Sequence, residues 1–175
     1  VFNFEDHRSE IGYFPIEPNV TGDALCGAPF PRCVYQWHSE GFDVPRGAEL
    51  LATGGTDFPN QAYRYGRSAV GLQFHPEVTY HMMCKWTLRG AERLSRPGAQ
   101  GRPRHLDGWF QHDSRVAAWL ADFLPAWLED RLGGARASGR PDKDLADRAA
   151  PPTAIRAARE AAATRDAGSL RELTA

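Results

Sequence analysis

Methionine is nearly missing from this chain: its 175 residues hold two, the adjacent Met82 and Met83. Cysteine is scarce as well. Cys26, Cys33 and Cys84 make an odd number without paired spacing, which argues against a secreted disulfide framework and makes reduced thiols the expectation. Neither sign of charge is in excess, since 21 Lys and Arg stand against 22 Asp and Glu for a formal charge of -1. The broad cationic field that would attract nucleic acid or anionic lipid is therefore absent. No apolar run approaches the roughly 20 residues of a membrane helix, and no basic segment followed by an apolar one opens the chain. These absences point to a cytoplasmic protein with neither nucleic acid nor membrane as partner. From Gly133 onward there is no aromatic residue, and Ala and Arg dominate. Such a segment buries too little apolar area to offset its ordering entropy, so 133–175 is expected to be a disordered or partly helical tail. A basic amphipathic docking helix is the alternative.

The rest of the chain is rich in core-forming residues, including nine Phe, five Trp and five Tyr, so a globular domain over residues 1–132 is expected. It opens without an initiator Met on the strand-like Val1-Phe2-Asn3-Phe4, a start that reads as the middle of a longer sequence. From Glu10 to Glu77, short β-type runs alternate with Gly, Pro, Asn and Asp. They predict strands at Glu10–Ile16, Cys33–His38, Ala48–Thr53, Gln61–Tyr65 and Ala69–Phe74. Thr79 is placed to cap a helix carrying Met82, Met83, Trp86 and Gly90 at helical spacing. Arg96 to Arg104 reads as a loop, and Asp113 or Ser114 as the start of a second helix over 113–132. There Val116, Leu120, Phe123 and Trp127 fall on one face, with Pro125 as a kink or break.

The sharpest local feature is Gly71-Leu72-Gln73-Phe74-His75-Pro76-Glu77, an apolar strand running into His, Pro and a carboxylate. Pro76 removes an amide donor and biases His75 toward extended backbone. Residues two apart in extended chain face the same side, so His75 and Glu77 are able to project together. A carboxylate beside an imidazole fixes its tautomer and stabilises the imidazolium, which is two thirds of a nucleophile, base and orienter set. A surface His beside a surface Glu is the plain alternative. A second strand, Cys33 to His38, alternates Cys33, Tyr35 and Trp37 on one face with Val34, Gln36 and His38 on the other. Two strands ending in His could line one crevice at the carboxyl ends of an open sheet. His38 reads equally as a partly buried histidine capping a turn. His75, Glu77, His81 and Cys84 lie close together, but their spacing fits no standard zinc pair, so no metal is expected.

In order along the chain, Glu10-Ile11-Gly12-Tyr13-Phe14-Pro15-Ile16, Gln36-Trp37-His38-Ser39-Glu40-Gly41-Phe42, Pro59-Asn60-Gln61-Ala62-Tyr63-Arg64-Tyr65-Gly66 and the His75-Pro76-Glu77 segment make a recognisable series. Residues 10–94 thereby resemble the C-terminal half of class I glutamine amidotransferase domains, in particular the free-standing group similar to the amidotransferase part of GMP synthase. The resemblance implies an α/β, partial flavodoxin-like fold, a sheet followed by C-terminal helices, that hydrolyses glutamine to glutamate and ammonia through a cysteine thioester without a cofactor. His75 matches the family's catalytic base and Glu77 its orienting carboxylate, while Trp37, His38 and Ser39 match part of the wall against bound glutamine. A separate synthetase or other ammonia acceptor is the implied partner.

The family's nucleophile sits in a Gly-x-Cys-x-Gly turn that comes before the segment matching residues 1–16. None of the three cysteines replaces it. Pro29 and Pro31 forbid the helix that an elbow at Cys26 must feed, Cys33 points from a strand, and Cys84 lies in the Met-bearing helix as a small hydrophobe. The expectation is an amidotransferase portion with base and orienter but no thiol, inactive alone and with an exposed apolar sheet edge. A γ-glutamyl amide or peptide hydrolase on the same scaffold and a non-catalytic binding module are the alternatives.

Overall fold

A computed structural model describes residues 1–133. The expected tail lies outside the described residues, apart from Gly133 itself. Chain order begins with β1 (Phe2–Asn3), β2 (Glu10–Pro15), β3 (Glu17–Pro18) and the single turn α1 (Val20–Asp23), capped by the Asn19 side chain. It continues with β4 (Cys33–His38), β5 (Glu40–Gly41), β6 (Glu49–Thr53), β7 (Asn60–Tyr65) and β8 (Ala69–Leu72). Then come α2 (Tyr80–Arg89), a 3₁₀ helix (Ala91–Ser95) and α3 (Arg102–Leu128). Apart from the single turn α1, which the residue pattern does not predict, this mixed α/β order, strands first and helices last, is the expected one.

Every ladder among the named strands is antiparallel: β1 with β5, β2 with β4, and β3-β6-β7-β8. The segment after β8 joins the ladders. Gln73 N donates to Gln61 O of β7, and His75 N donates to Tyr35 O of β4, so this stretch is hydrogen-bonded to both sides. The outer edge of β2 is covered by the loop that precedes α3. Ser9 N donates to Pro97 O and Gln100 N to Ile11 O, and the Gln100 side-chain amide accepts from Tyr13 N at 3.1 Å while donating to Tyr13 O at 2.6 Å. One glutamine thus takes the part of an extra strand. Gly12, at φ +126°, leaves it room, because a Cβ there would collide with the Gln100 side chain.

Successive residues of β4 divide between two apolar clusters, as period-two alternation requires. Val34 joins Ile16, Leu25, Phe30, Leu51, Phe74 and the second half of α3. Tyr35 joins Tyr13, Val78 and Met83, with Trp37, Trp86, Leu106 and Trp109 packed around them. Trp119 is the largest fully buried side chain, with ring centroids 4.8 Å from both Phe30 and Phe123. Burying an aromatic of this size stabilises by about 3 kcal/mol.

The helices depart from expectation at both ends of the last one, expected over 113–132 and found over Arg102–Leu128. Thr79 caps α2 as predicted, its side chain accepting from Met82 N. However, α3 starts at Arg102, well before Asp113, with Pro103 in its first turn where a missing N–H costs nothing. It passes through Pro125 and ends at Leu128. Its buried face reads His105, Gly108, Asp113, Val116, Trp119, Phe123 and Ala126, whereas Trp127 is partly exposed and Leu120 only packs against the rim. Two polar residues and a glycine on that face conceal the helical period from any count of apolar positions.

Candidate active site

His75 and Glu77 are held by their neighbours. Phe74 is buried in the first cluster and Val78 in the second, so these flanking residues pin the chain on either side of His-Pro-Glu. That stretch is not extended as expected but turns at Pro76 and Glu77, with Val78 N donating to His75 O. The His75 amide is tied to the Tyr35 carbonyl. What remains free to face outward is the pair itself. Its side chains are 32% and 55% exposed, and Nδ1 of His75 lies 2.8 Å from Oε1 of Glu77. An ionised carboxylate only accepts, so Nδ1 carries the proton and Nε2 presents its lone pair. Among the described residues Nε2 has no partner. The hydrogen bond from His75 draws the Glu77 carboxyl below its ordinary pKa. Trp86 of α2 closes one side of the imidazole, edge to face, at 5.1 Å. The arrangement is that of an oriented general base with an open nitrogen.

Trp37, His38 and Ser39 come together at the end of β4 and line a cavity of about 240 Å³ with Ile11, Arg93 and Arg96. Its neighbour, about 250 Å³, lies between Trp37, Trp86, Arg89 and Arg93. His75 lines neither. It stands against Trp86, whose ring is 5.6 Å from that of Trp37, so the pair and the cavity are linked through two indoles.

Beneath this surface runs a polar chain that the sequence did not disclose. Gln36 Nε2 donates to Gln61 Oε1 at 2.6 Å, and Gln61 Nε2 donates to Glu10 Oε2 at 3.0 Å and to Phe58 O. His38 Nε2 comes within 3.3 Å of the same Glu10 oxygen, outside hydrogen-bonding geometry. The four residues come from β2, β4 and β7, and no local spacing connects them. His38 is nine-tenths buried against Phe58 and caps no turn with its ring.

Two of the three cysteines are poor nucleophiles. Burial pushes the Cys33 thiol up to about 11 and raises that of Cys26, so both stay protonated at neutral pH. Cys84 packs at the border of the second cluster. The ring of His75 is engaged by Glu77 and Trp86 and by no sulfur. No helix among the described residues is long and apolar enough to cross a membrane.

No protein-family model and no curated protein sequence matches the chain. Solved structures do. A glutamine amido transferase from Methylobacillus flagellatus superposes with a TM-score of 0.62 at 22% identity, over 79% of this chain and 59% of that one. A glutamine amidotransferase from Thermotoga maritima superposes with a TM-score of 0.60 at 27% identity, over 73% of this chain and 54% of that one. The chain therefore shares the α/β fold of solved glutamine amidotransferases, and it spans little more than half the length of those it matches.

Proposed function

We propose that this chain belongs to a class I glutamine amidotransferase of the free-standing kind similar to the amidotransferase part of GMP synthase, in which His75 is the general base and Glu77 its orienting carboxylate. The observation that carries the reading is the 2.8 Å bond between His75 Nδ1 and Glu77 Oε1, which leaves Nε2 open on a partly exposed ring. A base so disposed removes a proton from a thiol, and the thiolate attacks the side-chain amide of glutamine to release ammonia and form a thioester. His75, now an imidazolium stabilised by Glu77, returns that proton to the leaving amine. The same ring then activates the water that frees glutamate. Support from comparison is the shared fold with the Thermotoga maritima amidotransferase.

The thiol is the group these residues do not bring to His75. On this reading it is supplied by a strand-turn-helix elbow outside residues 1–175, in the part of the matched structures that this chain does not cover. Residues 1–175 alone then release no ammonia from glutamine. The test is ammonia release by a form that carries the elbow, together with its His75→Ala variant. A fall in kcat of about 10²-fold or more is expected from loss of the base. Turnover by His75→Ala at the parent rate, or His75-dependent turnover by residues 1–175 alone, overturns the proposal.

A further inference from the structure

Arg96 follows the 3₁₀ helix as its C-terminal cap, half-buried, and its guanidinium has no carboxylate partner among the described residues. Arg93, one turn earlier, reaches only Glu92, with Nε 3.8 Å from Oε1, the far limit of an ion pair. Both line the 240 Å³ cavity beside Trp37, His38 and Ser39. His38 is 10% exposed there, and neither of its ring nitrogens makes a hydrogen bond. The His38 nitrogens lie beneath the wall and do not open into the hollow, whereas two underused guanidinium groups and Ser39 do line it, so the hollow suits a polar, anionic occupant. Its volume is below the roughly 300 Å³ at which sites for drug-sized ligands begin, and suits one small acid. Glu40 at the rim offsets part of the positive charge, which favours a singly charged ligand over a doubly charged one.

We propose that this cavity is a carboxylate-binding subsite, in which Arg93 and Arg96 hold the acidic end of the amide substrate and the Ser39 hydroxyl lies beside it. Guanidinium matches carboxylate as a planar two-pronged donor. Trp37 forms the wall toward the second hollow and Trp86, and Trp86 stands against His75. A substrate with its amide at His75 and its acid at Arg96 is therefore extended along both indoles. The identity of the amide end rests on the amidotransferase reading, whereas the binding of the acid end does not.

The experiment is calorimetric titration of the 175-residue chain with glutarate, with the Trp37 indole resonance followed by NMR. Saturable binding that shifts Trp37 is expected, weakened about tenfold in Arg96→Gln or Arg93→Gln by loss of charge-assisted hydrogen bonds. Arg67→Gln, which removes an exposed cation paired with Asp130 away from the cavity, leaves it unchanged. Arg93 is exposed, so its variant carries the reading if Arg96→Gln does not fold. Absence of saturable binding, undiminished binding by the Arg93 and Arg96 variants, or inorganic phosphate bound as tightly as glutarate overturns the proposal. No nucleophile enters this measurement, so a negative result in ammonia release leaves it standing.

Discussion

Gln36 donates through Nε2 to Oε1 of Gln61 at 2.6 Å, and neither side chain has measurable exposure. The contact ties β4 to β7, and Gln61 passes the connection on to Glu10 of β2. Such a chain stabilises only while complete, because each buried group that loses its partner retains its desolvation cost.

Gln61→Ala removes the middle member and strands the Gln36 amide, the Glu10 carboxylate and the Phe58 carbonyl together. A loss of about 3 kcal/mol is expected, read as a lower midpoint in urea denaturation of the 175-residue chain. A variant within experimental error of wild type would show that water replaces the glutamine without cost.

His105 makes stability depend on mildly acid pH. It is fully buried, accepts from the Tyr35 hydroxyl at Nδ1 (3.0 Å) and donates from Nε2 to the Gln100 carbonyl (2.9 Å). Burial holds its pKa below the ordinary 6.5, so the unfolded chain takes up the proton first. Stability is then fully present above about pH 6.5 and falls as the pH drops beneath it. His112, also lowered by burial, acts in the same direction. Thermal melts across this range should slope less steeply in His105→Gln, which keeps one acceptor and one donor in place.

Glu77 adds a smaller dependence at lower pH. Its carboxyl is drawn beneath the ordinary 4.5 by the bond from His75, so the contribution is complete above that value and lost as the pH falls through the depressed one. With the side chain 55% exposed, solvent screening keeps it under about 1 kcal/mol. Glu77→Gln should melt slightly below wild type at neutral pH and converge with it in acid. In a form carrying the thiol, the same substitution should depress kcat far more than it depresses stability.

Gly108 is where α3 comes down on β2. A Cβ built there would run into the Tyr13 ring, itself packed against Tyr35 at 5.2 Å. Gly108→Ala should cost about 1–3 kcal/mol despite the better helix propensity of alanine, since overpacking outweighs the backbone gain. Equilibrium denaturation measures it, and a stabilised variant would mean that the tyrosine ring yields freely.

Much of this architecture is legible along the chain because it rests on local rules. The predicted strands lie within a residue or two of β2, β4, β6, β7 and β8, as alternation and turn residues mark them without knowledge of partners. Thr79 marks α2 for the same reason. The start of α3 is hidden because His105, Gly108 and Asp113 occupy its buried face, where apolar residues would announce a helix. His75 and Glu77 are legible as a pair because only Pro76 stands between them, although a turn and not extended chain brings their side chains together. Glu10, Gln36, His38 and Gln61 meet only after β2, β4 and β7 assemble, and Arg93 and Arg96 reach the cavity from a 3₁₀ turn that carries no motif.

The amide of His75 is a rung between two ladders. Since it is anchored to Tyr35 while Gln73 is anchored to Gln61, the imidazole sits on the seam between ladders that fold from separate stretches of chain. Deuterium should enter at this amide only when the seam parts, so the opening that weakens the sheet also misaligns the ring, and loss of order in the β-layer and loss of a competent imidazole become one event.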